Sequence, residues 1–276
     1  MKWNIFLAGL LSLLMTSCIT IEIRERDIFD VKRTIGPEDF SNSPYHLEEV
    51  TIISGDQITL DGWFISHPAP LGTVLFLGGN GFLKETSEQI IRSIVDQRMN
   101  LLVFNYRGYG RNPGIPTVSG LKADGMAAYN YLVDHRGISP NRLVIHGHSL
   151  GTLIGGYMAD QKPMAGLVLE SPITDMRFYT DKMLPALVRP FIRFDVESTL
   201  MIDSNLDRLS RLSIPLLIMV GKDDRITPPA MARKLYHTAP SYSKTIKILK
   251  KGGHNDLPER KDYRAAIAEF YSKSVT

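Results

Sequence analysis

The sequence predicts an α/β domain with a mostly parallel sheet and helices on both faces. Short apolar runs typical of buried strands alternate along the chain with longer segments of helical spacing, and strands that alternate with helices form parallel sheets. Each motif that carries chemistry also comes directly after one of the predicted strands. In a parallel sheet of this kind, ligands bind at the carboxyl ends of the strands. The positions of the motifs therefore agree with the predicted fold class.

The predicted strands and helices alternate from residue 48 to residue 272. A hairpin over residues 48–65 turns at Ser54-Gly55-Asp56, and a buried strand follows at Thr73–Leu77. The later strands are predicted at Leu101–Asn105, Leu143–His146, Gly166–Leu169, Pro215–Val220 and Lys244–Leu249. The helices are predicted at 85–98, 119–134, 150–160, 229–238 and 259–272.

An insertion interrupts this alternation. More than 40 residues separate the strand that ends near Leu169 from the one that begins near Ile214, which is far more than a plain crossover needs. Residues 172–212 contain aromatic and aliphatic side chains, and we predict that they form a small lid-like insertion over the strand ends. The alternative is a pair of helices packed on the body of the domain, away from substrate.

The amino terminus has the layout of an export signal. Lys2 precedes an apolar stretch, Ile5–Met15, which has the length of a signal-peptide core and is too short to span a membrane. Small residues then lead to Cys18, the single cysteine, in a pattern that resembles the bacterial lipobox. We therefore predict a lipoprotein signal peptide at residues 1–17 and a lipidated Cys18. A plain cleaved signal is the alternative.

The prediction for Cys18 sets the expected location and domain layout. A lipid anchor implies the cell envelope, with the membrane as a partner. Ile19 stands where lipoproteins kept at the inner membrane often carry aspartate, which favours the outer membrane in a cell with two membranes. Residues 18–45 are polar and weakly periodic, so we predict a tether there, followed by one domain at 46–276.

The composition excludes other classes of partner. The 32 basic residues nearly balance the 29 acidic ones, and no run of lysine or arginine occurs, so nucleic acid is not an expected partner. No group of cysteines and histidines has metal-ligand spacing, and we predict neither a metal site nor a cofactor.

Ser149 is the predicted nucleophile. It is the serine of a G-x-S-x-G motif at Gly147–Gly151, which follows the predicted strand Leu143–His146 and precedes a predicted helix. This strand–turn–helix context is typical of a nucleophile elbow, in which a strained turn lifts the hydroxyl clear of the sheet. The amino end of the following helix favours negative charge that develops nearby.

His254 is the predicted general base, because a serine hydroxyl is a weak nucleophile without one. It follows two glycines in the loop after the last predicted strand, and no other histidine has that position. His146 and His148, just before Ser149, could line the site. The remaining histidines lie in loops or at the edges of predicted elements, and no catalytic role is predicted for them: His46, His67, His135 and His237.

An acid must hold the base in one tautomer, and two adjacent carboxylates compete for this role. Asp223 and Asp224 both follow the strand Pro215–Val220, which gives the chain order serine, aspartate, histidine. Adjacent side chains usually point apart, so only one can face His254. We predict Asp224, with Asp175 as a remote alternative.

The oxyanion hole is predicted to combine two backbone N–H groups. One belongs to Leu150, directly after the nucleophile, and the other to the glycine-rich loop Gly78–Gly81, in which Asn80 is the expected donor. The alternative is a glycine turn without a catalytic part.

The sequence around these residues resembles a known family. The motifs that carry the resemblance are Asn105–Gly110, Gly114–Thr117, the elbow, Glu170–Pro172, the Asp224 loop and Gly253–Asp256. From about residue 48 to its end the chain resembles the α/β-hydrolase superfamily, and above all the branch of Bem46-like proteins, bacterial serine-aminopeptidase-like hydrolases and eukaryotic protein depalmitoylases. The resemblance implies the α/β-hydrolase fold and a hydrolase activity, but says little about substrate.

Two details of the resemblance concern single residues. Members of the branch place the triad acid three residues after the glycine that ends the strand, which is Gly221 here and favours Asp224. They also begin the oxyanion loop with His-Gly, whereas this chain has Gly78-Gly79. The departure leaves the backbone donor in place and changes what can anchor the loop.

The sequence therefore predicts a serine hydrolase that cleaves ester or thioester bonds of small-molecule or lipid-like acyl substrates through an acyl-serine. A serine peptidase is a second possibility, although no residues mark a pocket for a peptide's amino terminus. A third is a lipoprotein that keeps the fold as a binding module without catalysis. All three triad members are present in the sequence, which favours an enzyme.

Overall fold

The computed structural model describes residues 19–23, 45–175, 192–196 and 203–275. The predicted signal peptide at 1–17, Cys18, most of the predicted tether and most of the predicted insertion lie outside the described residues.

The strands form one large sheet and one separate pair. They are β1 (Ile19–Ile23), β2 (His46–Ile53), β3 (Thr59–Ser66), β4 (Gly72–Leu77), β5 (Met99–Phe104), β6 (Leu143–His148), β7 (Gly166–Glu170), β8 (Ile192–Val196), β9 (Leu216–Gly221) and β10 (Lys244–Leu249). The large sheet has the strand order β10-β9-β7-β6-β4-β5-β3-β2. Within it, β3 runs antiparallel to both of its neighbours, and all other neighbouring strands are parallel.

Helices connect the parallel strands. They are α1 (Glu88–Val95), α2 (Val118–Asn130), α3 (Gly151–Gln161), α4 (Asn205–Leu209), α5 (Pro229–Thr238) and α6 (Lys261–Ser274). The described ranges contain no helix that is both long and apolar enough to cross a bilayer.

Helices cover both faces of the sheet, as the apolar run of β4 predicts. This strand is buried along its whole length. Leu75 and Leu77 belong to a core shared with α2, α3 and α5, whereas Val74 and Phe76 point the other way, into a core shared with α1 and α6. The predicted fold, a mostly parallel sheet between two layers of helices, is therefore confirmed.

The second sheet was not predicted. β1 and β8 pair in parallel, with Ile19 opposite Ile192. β1 lies in the predicted tether and β8 in the predicted insertion, so residues 19–23 are a paired strand instead of free chain. Both sequences alternate between apolar and polar residues, which is the period of a strand, but five residues far from any partner give no sign of what they pair with.

The two ends of the predicted insertion meet beside the sheet. Asp175 and Ser204 form an isolated antiparallel bridge. The side-chain amide of Asn205 donates hydrogen bonds to the carbonyl oxygens of Ile173 at 2.9 Å and Thr152 at 3.0 Å. The insertion thus leaves and returns just beyond the carboxyl end of β7. Whether it acts as a lid remains a prediction, since most of it lies outside the described ranges.

Candidate active site

Ser149 lies on a tight turn between β6 and α3. Its φ of 51° is in the left-handed region, which is uncommon for a residue with a side chain. A Cβ on Gly147 would collide with the carbonyl of Gly151, and one on Gly151 would collide with the carbonyl of Leu77. The two glycines of the motif are therefore required by packing. The backbone N–H of Ser149 donates to the carbonyl oxygen of Glu170, 2.9 Å away, at the end of β7.

The loop after β10 brings His254 to Ser149. His254 Nε2 lies 2.9 Å from Ser149 Oγ, and His254 Nδ1 lies 2.9 Å from Asp224 Oδ2. A backbone hydrogen bond joins the loop that carries Asp224 to the loop that carries His254, since the N–H of Asp223 donates to the Gly252 carbonyl at 2.9 Å. The fold thus brings the predicted nucleophile, base and acid into one hydrogen-bonded series.

Asp224 is buried, and its carboxylate accepts several hydrogen bonds from the protein. Its Oδ1 accepts from the N–H groups of Ile226 at 2.9 Å and Thr227 at 2.8 Å. Burial raises the pKa of Asp224, but the hydrogen bonds from His254 and Thr227 more than offset burial and hold the pKa below its usual value. Asp223 is exposed, and Asp175 takes part in the backbone bridge at the neck of the insertion.

Thr227 is a partner of the acid that the sequence reasoning missed. Its hydroxyl is buried, donates to Asp224 Oδ2 at 2.9 Å and lies 3.2 Å from His254 Nδ1. A threonine three residues after an aspartate is a common local turn pattern, so the signal was present in the sequence. Thr227 therefore helps to fix the position of the Asp224 carboxylate.

Two further residues contact the backbone of His254. His148 Nε2 lies 3.1 Å from the His254 carbonyl oxygen, and Ser171 Oγ lies 3.4 Å from the same atom. His148 was predicted only as a residue that could line the site, and Ser171 only as part of a family motif. Neither contact has a local signal, because each joins loops that are far apart in the chain.

His146 does not line the site. It is fully buried beneath the elbow, with Nδ1 2.7 Å from the Tyr271 hydroxyl and Nε2 3.1 Å from Glu170 Oε2. Tyr263 also donates to Glu170 Oε2, at 2.8 Å. Burial raises the pKa of Glu170, but interactions that include the hydrogen bonds from His146 and Tyr263 bring it below its usual value. This network supports the strand end whose carbonyl holds Ser149.

The glycine-rich loop after β4 lies against the elbow. A Cβ on Gly79 would stand 3.2 Å from Ser149 Cβ, and Gly81 has a φ of 70°. The buried Tyr109 hydroxyl donates to Asn80 Oδ1 at 2.8 Å. A Cβ on Gly78 would collide with the Phe82 ring, so the histidine usual in the branch could not be accommodated without moving that ring. The hydrogen bond from Tyr109 therefore anchors this loop.

Leu150 is buried at the amino end of α3, directly after Ser149. Its N–H and that of Asn80 belong to segments that meet at the nucleophile, as an oxyanion hole requires. Their role as donors remains a prediction. Within the described ranges, no group of three or more histidine, cysteine, aspartate or glutamate side chains is arranged to hold a metal.

Two family models match the chain. One, described as alpha/beta hydrolase fold, matches residues 72–197, which include Ser149 and the Gly78–Gly81 loop. The other, described as Serine aminopeptidase, S33, matches residues 179–261, which include Asp224 and His254. Each model covers a different part of the candidate site.

Relatives match along most of this chain. An uncharacterized protein of Mycobacterium tuberculosis is 30% identical over 234 residues, covering 82% of this chain and 80% of the relative. An uncharacterized membrane protein of Saccharomyces cerevisiae is 29% identical over 286 residues, covering 98% of each. The protein bem46 of Schizosaccharomyces pombe is 27% identical over 245 residues, covering 86% of this chain and 80% of bem46. The expected kinship with Bem46-like proteins is confirmed.

A solved structure has the same fold. An esterase of Pyrococcus furiosus superposes with a TM-score of 0.72, covering 90% of this chain and 100% of the esterase at 19% identity. At that identity, the match establishes the shared fold and leaves the substrate open.

Proposed function

The chain belongs to the α/β-hydrolase superfamily, and on that premise we propose that it is a serine hydrolase that cleaves acyl ester or thioester bonds. The observation that carries the proposal is the hydrogen-bonded series from Ser149 Oγ through the His254 ring to Asp224, with 2.9 Å at each step. A serine hydroxyl becomes an effective nucleophile beside a base, and a carboxylate fixes that base in the required tautomer.

In the proposed first half-reaction, Ser149 Oγ attacks the acyl carbonyl carbon while His254 Nε2 takes the hydroxyl proton. The carbonyl oxygen becomes an oxyanion, which we expect the N–H groups of Leu150 and Asn80 to bind. The tetrahedral intermediate then collapses. The bond to the leaving oxygen or sulfur breaks, His254 gives its proton to that atom, and an acyl-serine remains.

Water completes the cycle in the second half-reaction. It attacks the acyl carbon as His254 Nε2 takes one of its protons, the bond to Ser149 breaks, and the proton returns to Oγ as the carboxylic acid leaves. Although burial raises the pKa of Asp224, hydrogen bonds from His254 and Thr227 hold it below its usual value. The carboxylate therefore stays ionised and stabilises the imidazolium that forms in each half.

Ester or thioester cleavage is favoured over peptide cleavage. The structural neighbour from P. furiosus is an esterase, and the apolar residues of the predicted insertion at 172–212 suit an acyl chain. The second candidate is a serine peptidase, which the description of the family model over 179–261 favours. Each CH₂ buried by the protein would contribute up to about 0.8 kcal/mol, so an acyl pocket makes activity rise with chain length until the pocket is full.

The nucleophile is tested by covalent labelling. A fluorophosphonate probe should label the folded protein at Ser149, and Ser149→Ala should abolish labelling. The matched control is Ser171→Ala, which removes the other serine hydroxyl next to His254 and should still be labelled. Labelling that persists in Ser149→Ala would contradict the assignment.

The substrate class is tested by comparing two series of compounds. p-Nitrophenyl esters and the corresponding thioesters of increasing acyl length should be cleaved faster than aminoacyl and dipeptidyl amides. The rate should rise with acyl length up to a short or medium chain. Faster cleavage of the amides would establish the peptidase instead, and a rate independent of acyl length would argue against an apolar acyl pocket.

We also propose that Cys18 carries a lipid that anchors the protein in the cell envelope, at the outer membrane in a cell with two membranes. The apolar stretch before Cys18 supports this, and a relative from S. cerevisiae is described as a membrane protein.

Metabolic labelling with a fatty-acid analogue tests the anchor. The analogue should tag the wild-type protein in the membrane fraction and should not tag Cys18→Ser. If neither protein is tagged and both fractionate as soluble proteins, Cys18 only ends a plain signal.

A further inference from the structure

His148 stands just before Ser149, and its side chain is directed into the protein. The residue is only 9% exposed, its Nε2 lies 3.1 Å from the His254 carbonyl oxygen, and the two imidazole rings are 5.2 Å apart between centroids. A carbonyl oxygen can only accept a hydrogen bond. His148 Nε2 must therefore carry a proton, and its N–H donates a hydrogen bond to the His254 carbonyl oxygen.

The Nδ1–Cε1 edge of the His148 ring faces the glycine-rich loop. A Cβ on Gly79 would stand 2.9 Å from His148 Nδ1 and 3.3 Å from its Cε1, so the bare backbone of Gly79 packs directly against the ring. A side chain at Gly79 would displace the ring from this position. One imidazole thus fills the space between the loop after β4 and the loop after β10.

The order of the strands keeps these two loops apart. In the large sheet, β4 lies on one side of β6, while β7, β9 and β10 follow in turn on the other side. The oxyanion loop and the His254 loop therefore reach Ser149 from opposite directions, and no strand pairing joins β4 to β10. A residue within the elbow is placed to hold both at once.

The His148 ring is uncharged near neutral pH. Burial lowers the pKa of His148 below its usual 6.5, and the charge of Glu170 offsets this only in part. Because His254 gains a proton during each half-reaction, a second positive ring at 5.2 Å would oppose it. A neutral ring can donate through Nε2 without that cost.

We propose that His148 is a positioning residue that holds the His254 backbone and the Gly78–Gly81 loop at a fixed separation across Ser149. This inference rests on the proposed serine-hydrolase function. His148 acts through the backbone of His254 and touches none of the reacting atoms. Ser171, whose hydroxyl lies 3.4 Å from the same carbonyl oxygen, is a second and weaker support.

Two substitutions separate positioning from simple packing. His148→Leu removes the donor and keeps much of the volume, and it should lower kcat for a p-nitrophenyl ester by roughly 10- to 100-fold with KM nearly unchanged. His148→Gln retains an N–H donor at the end of a side chain of similar reach, and it should restore most of kcat. If the Gln and Leu variants lose kcat equally, or if kcat follows thermal stability alone, the role is packing and the proposal is wrong.

A spectroscopic measurement keeps the inference testable if no substrate is found. Histidine-ring ¹⁵N NMR of the wild-type protein should show His148 as the Nε2–H tautomer. The His254 ring resonances should shift in His148→Leu and stay near their wild-type positions in His148→Gln. An Nδ1–H tautomer, or unchanged His254 resonances in the Leu variant, would overturn the proposal. Absence of both turnover and fluorophosphonate labelling in the wild type would instead reject the serine-hydrolase function.

Discussion

Two neighbouring strands of the sheet end in a buried serine with the same unusual backbone. Ser149 follows β6 with a φ of 51°, and Ser171 follows β7 with a φ of 47°. Both hydroxyls approach His254, but they meet different parts of it. Ser149 Oγ lies 2.9 Å from the ring nitrogen Nε2, whereas Ser171 Oγ lies 3.4 Å from the backbone oxygen.

The difference teaches that a strained turn alone does not make a nucleophile. Residues in left-handed conformations gather at functional sites, and by that criterion the two serines are equal. What separates them is the partner of the hydroxyl and the chain that follows. Helix α3 begins two residues after Ser149 and directs its amino end toward developing negative charge. After Ser171, the described residues 172–175 begin no such helix.

The largest expected effect comes from removing each hydroxyl in turn. Ser149→Ala should lower kcat by roughly 10⁴- to 10⁶-fold, because the nucleophile is lost and only binding and oxyanion stabilisation remain. Ser171→Ala should lower kcat by less than about tenfold, because the free energy of one weak hydrogen bond corresponds to a rate change of no more than this. Steady-state kinetics on the best ester measures both. Comparable losses would mean that the two serines share the chemistry.

A second prediction concerns Asp224, which contacts the His254 ring at Nδ1, whereas Ser149 contacts it at Nε2. Asp224→Asn should lower kcat by roughly 10³- to 10⁴-fold, because the amide favours the wrong tautomer of His254. Asp223→Asn is the matched control. Its side chain is exposed, so the change should stay within about twofold. The opposite ranking would move the acid to Asp223.

The sequence carried enough information for the elements that bear the site. Buried strands appear as apolar runs bounded by glycine, and β10 was predicted at its observed bounds, Lys244–Leu249. Helix ends were less accurate, because local turns end them. The helix predicted at 85–98 begins only at Glu88, after a 3₁₀ turn, and the one predicted to end at residue 134 changes to a short π-helix after Asn130.

Contacts between distant loops could not be predicted. The bond between His148 and the His254 carbonyl joins residues 106 positions apart, and the Tyr109 contact to Asn80 joins two loops that meet only in the folded sheet. Side-chain type tells what a residue can donate or accept, but not what it will face. The β1–β8 pair shows the same limit for backbone, since the alternation was visible and the partner strand was not.

The smallest expected effect tests whether the two serines really store the same backbone strain. A residue with a Cβ in the left-handed region costs about 1 kcal/mol or more compared with glycine, which adopts this region freely. Ser149→Gly should therefore be more stable than Ser149→Ala by about 1 kcal/mol, and Ser171→Gly more stable than Ser171→Ala by a similar amount. Each pair lacks the same hydroxyl, so the lost hydrogen bond cancels within the pair. Urea unfolding at 25 °C measures the four free energies. A gain at Ser149 alone would show that the β7 turn relaxes without cost, and the two turns would then differ in strain as well as in chemistry.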